Sequence, residues 1–217
     1  IDFYNDAKQK LNNYKHIHFI IDTVISVKES NIVTIEAKRN NYTASQVFDS
    51  RIPNNFSKLS SNYINIIQHF KGWIIKTDND AFNENQVTMM DYRLKDGEQT
   101  TFTYILPFSK NEALVEFTYF TETIVDEKVY DNYIESYISK YLNIDNYTIL
   151  ETEMGQIPMT NFPFDKFNTK QITKIGTGGG WVKGSTGYSF KSSEKKVGII
   201  INNIKTNKTP SEGLFKT

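Results

Sequence analysis

Apolar and polar residues alternate along several stretches in the middle of the chain, and this two-residue period predicts β-strands. Four such stretches follow one another with short polar turns between them, at residues 68–76, 88–93, 101–106 and 113–123. Consecutive strands joined by short turns favour an antiparallel sheet. The middle of the chain is therefore predicted to be an antiparallel sheet that can cover one face of a ligand.

The stretches on either side of this region predict helices and further strands. Amphipathic four-residue spacing predicts helices at residues 1–14 and 126–142. Strands are predicted at residues 18–28, 32–38, 42–48 and 147–159, the second and third forming a hairpin. The polar stretch 53–62 predicts a loop and a domain boundary, and residues 206–217 predict a frayed tail.

Composition narrows the class of protein. The chain has 25 basic and 25 acidic residues among 217, so no basic excess points to a nucleic-acid partner. It has no cysteine and 3 histidines, which excludes disulfides and thiolate metal sites and makes a zinc site unexpected. No apolar run approaches the roughly 20 residues needed to span a bilayer. Aromatic residues make up 14% of the chain, which suits a pocket for a large apolar ligand but is equally explained by core packing.

The most specific stretch is IGTGGGWVKGSTGYSF at residues 175–190. The alternating residues 171–175 predict a strand, the glycines predict a loop, and Ser185 or Thr186 is predicted to cap a following helix. Glycine lets backbone N–H groups approach a ligand closely, and a helix N-terminus favours an anion. The alternative interpretation is a glycine-rich turn that binds nothing.

This stretch resembles the carboxy-terminal flavin-binding segment of the lycopene cyclases, FAD-dependent carotenoid enzymes related to the flavoprotein hydroxylases. Gly184 stands where that family usually has proline. The matching residues are Gly176, Gly179, Lys183, Ser185, Thr186, Gly187, Tyr188 and Phe190. Three more stretches resemble the family in the same order: QHFKGW at 68–73, LPFS at 106–109 and GQIPMT at 155–160.

The resemblance covers about residues 1–190 and implies an α/β fold, with α+β character in this chain. The implied fold is the FAD/NAD(P)-binding, Rossmann-like flavoprotein fold of the aromatic-hydroxylase type, with an antiparallel-sheet substrate domain. Residues 1–60 and 151–217 would belong to a discontinuous FAD-binding domain, and residues 61–150 would form the substrate domain. The implied cofactor is reduced FAD, with NAD(P)H as the electron source. Its implied binding residues are Gly176, Gly178, Gly179, Ser185, Thr186 and Gly187.

The amino-terminal flavin fingerprint of that family, G-x-G-x-x-G, does not precede the first predicted helix, in which the chain begins at Ile1. The sequence therefore predicts a fragment that lacks the first FAD-binding element. We expect these residues alone to bind FAD weakly or not at all.

The strand at residues 113–120 carries the candidate acid. Alternation puts Leu114, Glu116, Thr118 and Phe120 on one face and Ala113, Val115, Phe117 and Tyr119 on the other. A carboxyl group among apolar neighbours stays protonated and is a proton donor. The pattern alone favours a simpler interpretation, in which Glu116 faces solvent on a half-exposed strand. The stretch LVEFT at 114–118 resembles the family's F-L-E-E-T segment, which implies that Glu116 is the essential acid.

The second glutamate of that family segment is replaced here by Phe117, so no role is carried over to it. Glu122 lies too far along the chain from the LPFS stretch to match either glutamate. The stretch MDYR at 90–93 resembles the family's M-D-F-R segment, and Asp91 and Arg93 share a strand face. They form either a pocket-edge pair or a structural ion pair.

Several aromatic residues are candidates for contacting a carotenoid and stabilising a cation: Trp73, Tyr104, Phe117 and Phe120. His69 is either a hydrogen-bonding group at the domain junction or a structural histidine with satisfied partners. Asp49 and Arg51 are expected to form a surface ion pair of little energetic value.

The resemblance thus implies a lycopene β-cyclase, which protonates an acyclic end of lycopene and closes it to a β-ionone ring without net redox change. It also implies a cytoplasmic protein peripheral to the inner membrane surface, with no nucleic-acid partner and an oligomeric state left open. Two alternatives remain. One is a related FAD-dependent oxidoreductase acting on another isoprenoid or polyene, and the other is a non-enzymatic module that binds carotenoids or lipids.

Overall fold

The structure is a computed structural model that describes residues 2–54, 56 and 62–215. Within these residues the α-helices are α1 (Asp2–Asn12), α2 (Glu127–Tyr137) and α3 (Phe190–Lys205). The strands are β1 (Val24–Lys28), β2 (Val33–Ala37), β3 (Asn41–Ala44), β4 (Val47–Asp49), β5 (Asn65–Lys76), β6 (Thr88–Asp91), β7 (Thr100–Ser109), β8 (Glu112–Thr121), β9 (Thr148–Thr160) and β10 (Ile172–Lys174). None of the described helices is both long and apolar enough to cross a membrane.

The predicted antiparallel sheet is confirmed and has five strands in the order β6-β7-β8-β5-β9. Strand β5 is the fourth strand in this order and pairs along its length with both β8 and β9. Its apolar and aromatic residues alternate between the two faces of the sheet. The long ladders on both sides of β5 hold the two faces in a fixed register.

One face of this sheet packs against α2. The helix begins after Asp126, whose carboxylate accepts the Lys128 N–H at 3.0 Å as a side-chain cap. It continues into one π-helical turn at Ile138–Leu142, which confirms the helix predicted at 126–142. The buried core between helix and sheet contains Trp73, Ile75, Ile105, Ala113, Val115, Phe117, Tyr119, Tyr130, Ile134, Tyr137, Ile138 and Ile144. Covering one face in this way leaves the opposite face for a different partner.

Two smaller sheets form from the beginning and the end of the chain. Strands β1, β2 and β3 are antiparallel, and the turn between β2 and β3 is held by Asp22, whose carboxylate accepts the N–H groups of Arg39 and Asn40 at 3.1 and 3.2 Å. Strands β4 and β10 pair in parallel, with Val47 opposite Ile172. The parallel pair therefore joins residues near 50 to the glycine-rich stretch.

Three predicted elements differ from the structure. The strand predicted at 18–28 begins only at Val24. The strand predicted at 42–48 is divided into β3 and β4, because β4 pairs with β10 and leaves the hairpin. The predicted frayed tail packs back as far as it is described, since Asn203 Nδ2 donates to the carbonyls of Pro210 and Glu212 and Leu214 is buried. Most of the predicted loop at 53–62 lies outside the described residues, as do Ile1 and the last two residues of the tail.

Candidate active site

Glu116 lies at the centre of the sheet face opposite α2. The predicted alternation along β8 is confirmed, because Ala113, Val115, Phe117 and Tyr119 enter the core under the helix. The strand register places Glu116 opposite Tyr104 of β7 on one side and Gly72 of β5 on the other. Gly72 in turn pairs with Glu153 of β9. A row of side chains therefore crosses the sheet in the order Tyr104, Glu116, Gly72, Glu153.

The carboxyl group of Glu116 is buried, with 9% of the residue exposed. Its pKa is raised to about 7, chiefly by burial and also by the approach of Glu153, while a hydrogen bond from Thr118 Oγ1 at 2.8 Å opposes the rise. Because this pKa lies near neutrality, a large fraction of Glu116 is protonated at neutral pH. The residue that the sequence assigns as an acid is therefore able to donate a proton.

Gly72 leaves the space in which the two glutamates meet. A Cβ at this position would lie 2.8 Å from Leu114 Cδ1, 3.3 Å from Glu116 Cβ and 3.2 Å from Glu153 Cγ. Any side chain here would displace one of the two glutamates or Leu114. The absence of a side chain at Gly72 is thus part of the site.

The loop after β10 lies over the same face of the sheet. A Cβ at Gly187 would overlap Oε1 of Gln68 on β5, and Gly187 has a φ of +74°, which favours glycine. The hydroxyl groups of Tyr188 and Tyr104 are 3.4 Å apart. Burial raises the pKa of Tyr104, and both Tyr188 and Glu116 raise it further, so its phenol stays protonated. The structure therefore brings the end of the glycine-rich stretch to the residues around Glu116.

The glycines of this stretch have different surroundings. Gly178 and Gly179 lie directly against main-chain carbonyl groups of Arg51 and Lys174, so these glycines allow chain segments to pack closely. Gly176 has a φ of +57°, and no atom of the described residues lies within 4 Å of a Cβ built on it. Thr186 Oγ1 is buried and has no hydrogen-bond partner among the described residues. Gly176 and Thr186 are therefore two positions of the stretch that can meet a ligand.

The predicted helix cap at Ser185 or Thr186 is wrong. Helix α3 begins at Phe190, with Ser189 at the N-cap position and no side-chain cap. Thr186 instead belongs to a turn in which its N–H donates to the carbonyl of Lys183 at 3.1 Å. The left-handed backbone at Gly187 ends this turn, so a helix cannot run through it. Ser185 is exposed.

The aromatic candidates divide between the two faces of the sheet. Tyr104 and Phe120 share the face of Glu116, and the ring of Phe120 lies 5.6 Å from that of the buried Phe102. Trp73 and Phe117 lie in the core under α2, where the Phe117 ring is fully buried. The structure thus brings Tyr104 and Phe120 together with Glu116 and separates Trp73 and Phe117 from it.

Asp91 and Arg93 also lie on the helix side of the sheet. Arg93 Nε donates to Asp91 at 2.8 Å, and the Arg93 guanidinium lies 4.6 Å from the centre of the Tyr141 ring. Hydrogen bonds from Arg93 and from the Tyr137 hydroxyl lower the pKa of Asp91 to about 2, although burial opposes them. The pair therefore links β6 to the helix, and the structure does not place it beside Glu116.

His69 is fully buried in the same core. Its Nε2 lies 2.6 Å from Thr121 Oγ1, its Nδ1 bonds the Tyr130 hydroxyl, and its ring stacks on Tyr119 at 5.1 Å. Burial lowers the pKa of His69, so the neutral imidazole is favoured. These contacts fit the interpretation of His69 as a structural histidine with satisfied partners.

Asp49 and Arg51 do not form the expected surface ion pair alone. Lys174 Nζ lies 3.0 Å from Asp49, and only 7% of the Lys174 side chain and 10% of the Asp49 side chain are exposed. Burial alone would raise the pKa of Asp49, but hydrogen bonds from Arg51 and Lys174 lower it to about 2. The three residues form a half-buried cluster where β4 and β10 end.

Solved flavoprotein structures share this fold at low sequence identity. A geranylgeranyl bacteriochlorophyll reductase-like protein from Thermoplasma acidophilum matches with a TM-score of 0.64 and 13% identity, covering 89% of this chain and 51% of that one. The tetracycline destructase Tet(51) matches with a TM-score of 0.57 and 12% identity over 89% and 56% of the two chains. The flavin-dependent brominase Bmp2 matches with 0.56 and 11% over 99% and 57%. The chain spans about half the length of these structures.

These likenesses confirm the predicted fold, a mixed α/β flavoprotein fold with an antiparallel sheet. A search of curated proteins finds no match. The model of the lycopene cyclase protein family matches residues 3–212. The chain therefore belongs to the lycopene cyclase family, as its sequence motifs predict.

Proposed function

We propose that the protein is a lycopene β-cyclase, which closes the acyclic ends of lycopene to β-ionone rings in carotenoid biosynthesis. The observation that carries this proposal is the buried carboxyl group of Glu116, with its pKa raised to about 7, on the sheet face that the glycine-rich loop covers. Protonating a carbon–carbon double bond requires a positioned acid in surroundings that exclude water. Glu116 meets both requirements.

The proposed reaction is an intramolecular cyclisation. Glu116 donates its proton to the terminal double bond of an acyclic end, and a tertiary cation forms on the neighbouring carbon. An internal double bond attacks this cation, a carbon–carbon bond closes the ring, and a proton leaves the ring. The product is an isomer of the substrate, so no net redox change occurs. The rings of Tyr104 and Phe120 lie on the same face and are suited to stabilising the cation.

The proposed cofactor is reduced FAD, with NAD(P)H as the electron source. Among the described residues nothing fills the space beside Gly176 or bonds the buried Thr186 hydroxyl group, and both positions fit a flavin held along this loop. When bound, a reduced flavin supplies an electron-rich ring system that favours a nearby positive charge. Tyr188 and Gly187 connect the loop to the residues around Glu116.

The proposed domain division assigns residues 1–60 and 151–217 to the FAD-binding domain and residues 61–150 to the substrate domain. The parallel pairing of Val47 with Ile172 supports this division, because it joins the first and last segments. Strand β9 connects them to the central sheet by pairing along β5.

We expect the intact protein to convert lycopene to a cyclic carotene. The test is expression in a lycopene-accumulating host, followed by chromatography and mass spectrometry of the carotenoids. A cyclic product with the mass of lycopene supports the proposal, and loss of that product in a strain that cannot supply FAD supports the cofactor. A product with a changed mass would instead indicate an oxidoreductase, and unaltered lycopene that co-purifies with the protein would indicate a binding module.

We also propose association with the membrane surface at the cytoplasmic face of the inner membrane, because lycopene is dissolved in lipid. Apolar side chains that can enter the headgroup region are the usual means of such association. The intact protein is expected to float with liposomes in a density gradient. Protein that stays at the bottom of the gradient at every lipid concentration would contradict this proposal.

A further inference from the structure

The two glutamates on the ligand-facing side of the sheet are in contact. Neighbouring strands are about 4.8 Å apart, so Glu116 on β8 and Glu153 on β9 start from backbones about 10 Å apart, with β5 between them. Gly72 on β5 has no side chain, and both glutamates extend over it. Both the charge of Glu153 and a hydrogen bond between the two carboxyl groups raise the pKa of Glu116. Such a bond between carboxyl groups requires a proton on one of them.

Two carboxylates at this distance do not both ionise near neutral pH, so the pair holds one shared proton. The two residues differ in burial, since Glu116 is buried and Glu153 is exposed. A charge costs less on the group that water reaches. Burial therefore favours the protonated form of Glu116.

Few other titratable groups act on Glu116. Tyr104 faces it from β7, and Tyr188 and Tyr92 act on Tyr104 in turn. Strand β5 contributes the glycine, and the own strand of Glu116 contributes the Thr118 hydroxyl. Within the described part of the chain, no lysine, arginine or histidine acts on the ionisation of Glu116. Beside burial, Glu153 is therefore the charged residue that favours the protonated form of Glu116.

We propose that Glu153 is a positioning residue for the cyclisation, which keeps Glu116 protonated through the shared proton and returns a proton to it after each turnover. This inference rests on the proposed function. When Glu116 has given its proton to the substrate, two adjacent carboxylates remain and repel each other. The proton that leaves the ring at closure restores the singly protonated pair. One proton is given and one is recovered, so the cycle needs no other reactant.

The variant Glu153→Gln tests this inference through the pH profile of cyclisation by the intact protein. The variant removes the negative charge that keeps Glu116 protonated, and its amide can donate to ionised Glu116. The alkaline limb of the profile is therefore expected to move to lower pH. Above the limb, activity falls about tenfold for each pH unit of movement. At pH 5.5 to 6 the variant is expected to approach wild-type activity. Glu153→Asp keeps the negative charge, so its alkaline limb is expected to lie between those of Glu153→Gln and the wild type.

The matched control is Glu151→Gln. Glu151 is exposed, lies two residues before Glu153 on β9 and pairs with Ile74, so it faces the same side of the sheet. This control is expected to leave the limb unchanged. A loss of activity in Glu153→Gln that is equal at all pH values would show a merely structural role and overturn the inference.

A second measurement separates this inference from the proposed function. In the protein without substrate, pH-difference infrared spectroscopy follows the band of a protonated carboxyl group, assigned to Glu116 by its loss in Glu116→Gln. The wild-type midpoint near pH 7 is expected to fall in Glu153→Gln. An unchanged midpoint overturns the inference even if the protein is a cyclase. If the wild-type protein makes no cyclic product but the midpoint still falls in Glu153→Gln, the proposed function is contradicted and the effect of Glu153 on Glu116 stands.

Discussion

Replacing Glu116 with glutamine is expected to lower the formation of cyclic carotene by the intact protein about 100- to 10,000-fold, towards the upper end. Glutamine keeps the size of the side chain and can still accept the hydrogen bond from Thr118. It lacks the acidic proton, and the neighbouring phenol of Tyr104 is held protonated by its raised pKa and is too weak an acid to replace it. The measurement is conversion of lycopene by chromatography, with the amount of each variant protein determined in parallel.

Glu122→Gln is the matched control for this variant. Glu122 is exposed beyond the end of β8, and its replacement is expected to leave conversion near the wild-type level. Near-normal conversion by Glu116→Gln would show that another group protonates the substrate. A Glu122→Gln variant that does not convert lycopene would show that Glu116 has been wrongly assigned as the acid.

The stability of Glu116→Gln gives an independent check of the same assignment. The pKa of Glu116 is raised from 4.5 to about 7 in the folded chain, so its stabilising contribution is complete below pH 4.5 and is lost as the pH rises through 7. Glutamine does not titrate, so the stability of the Glu116→Gln variant does not fall with pH for this reason. Its unfolding temperature relative to the wild type is therefore expected to increase between pH 5 and pH 8, which also shows that inactivity does not come from misfolding.

The position of Glu116 could be predicted because strand alternation is a local property. The two-residue period along β8 is sufficient to assign Glu116 and Phe117 to opposite faces. The same alternation separates Phe117 from the acid, although its aromatic character made it a candidate for contacting the substrate. Helix α2 was predictable for a similar reason, since its four-residue spacing and the cap at Asp126 lie within one short segment.

Glu153 and Gly72 could not be found in this way, because their role depends on register between strands far apart in sequence. Nothing in residues 147–159 fixes which of them lies opposite Gly72 on β5. Glu116 and Glu153 approach each other only because β5 pairs with β8 on one side and with β9 on the other, and because Gly72 between them has no side chain. Trp73, Asp91 and Arg93 are a similar case. Which sheet face α2 covers decides whether they contact the helix or lie beside Glu116, and the local sequence does not show this.

The glycine-rich stretch was recognisable from its residues, but its local structure was only partly predictable. Ser185 and Thr186 have the chemistry of helix caps, yet the left-handed backbone at Gly187 delays α3 to Phe190. At that position a Cβ would also overlap the side chain of Gln68, a residue more than a hundred positions earlier in the chain. Local preference was here overridden by tertiary packing.

Replacing Gly178 with alanine is expected to destabilise the protein by about 3 kcal/mol, at the upper end of the usual range for overpacking. A Cβ here would overlap the carbonyl oxygen of Arg51 and lie 2.5 Å from that of Ser50. Both obstacles are main chain, so no rotamer change relieves them, and the end of β4 would have to separate from the loop after β10. The measurement is urea unfolding of the intact protein, with retention of flavin as a second readout.

Gly198→Ala is the control. It tests whether the loss of stability in Gly178→Ala comes from the surroundings of Gly178 and not from replacing a glycine with alanine as such. Gly198 is exposed within α3, and no atom of the residues that the structure describes lies within 4 Å of a Cβ built on it. Alanine at an open helical position is expected to stabilise by about 0.5 to 1 kcal/mol, because it restricts the unfolded chain and favours the helix. The two glycine-to-alanine changes should therefore have opposite signs. An unaffected Gly178→Ala variant would mean that the glycine-rich loop does not pack against Ser50 and Arg51, and that the loop does not hold its place over Glu116 through this contact.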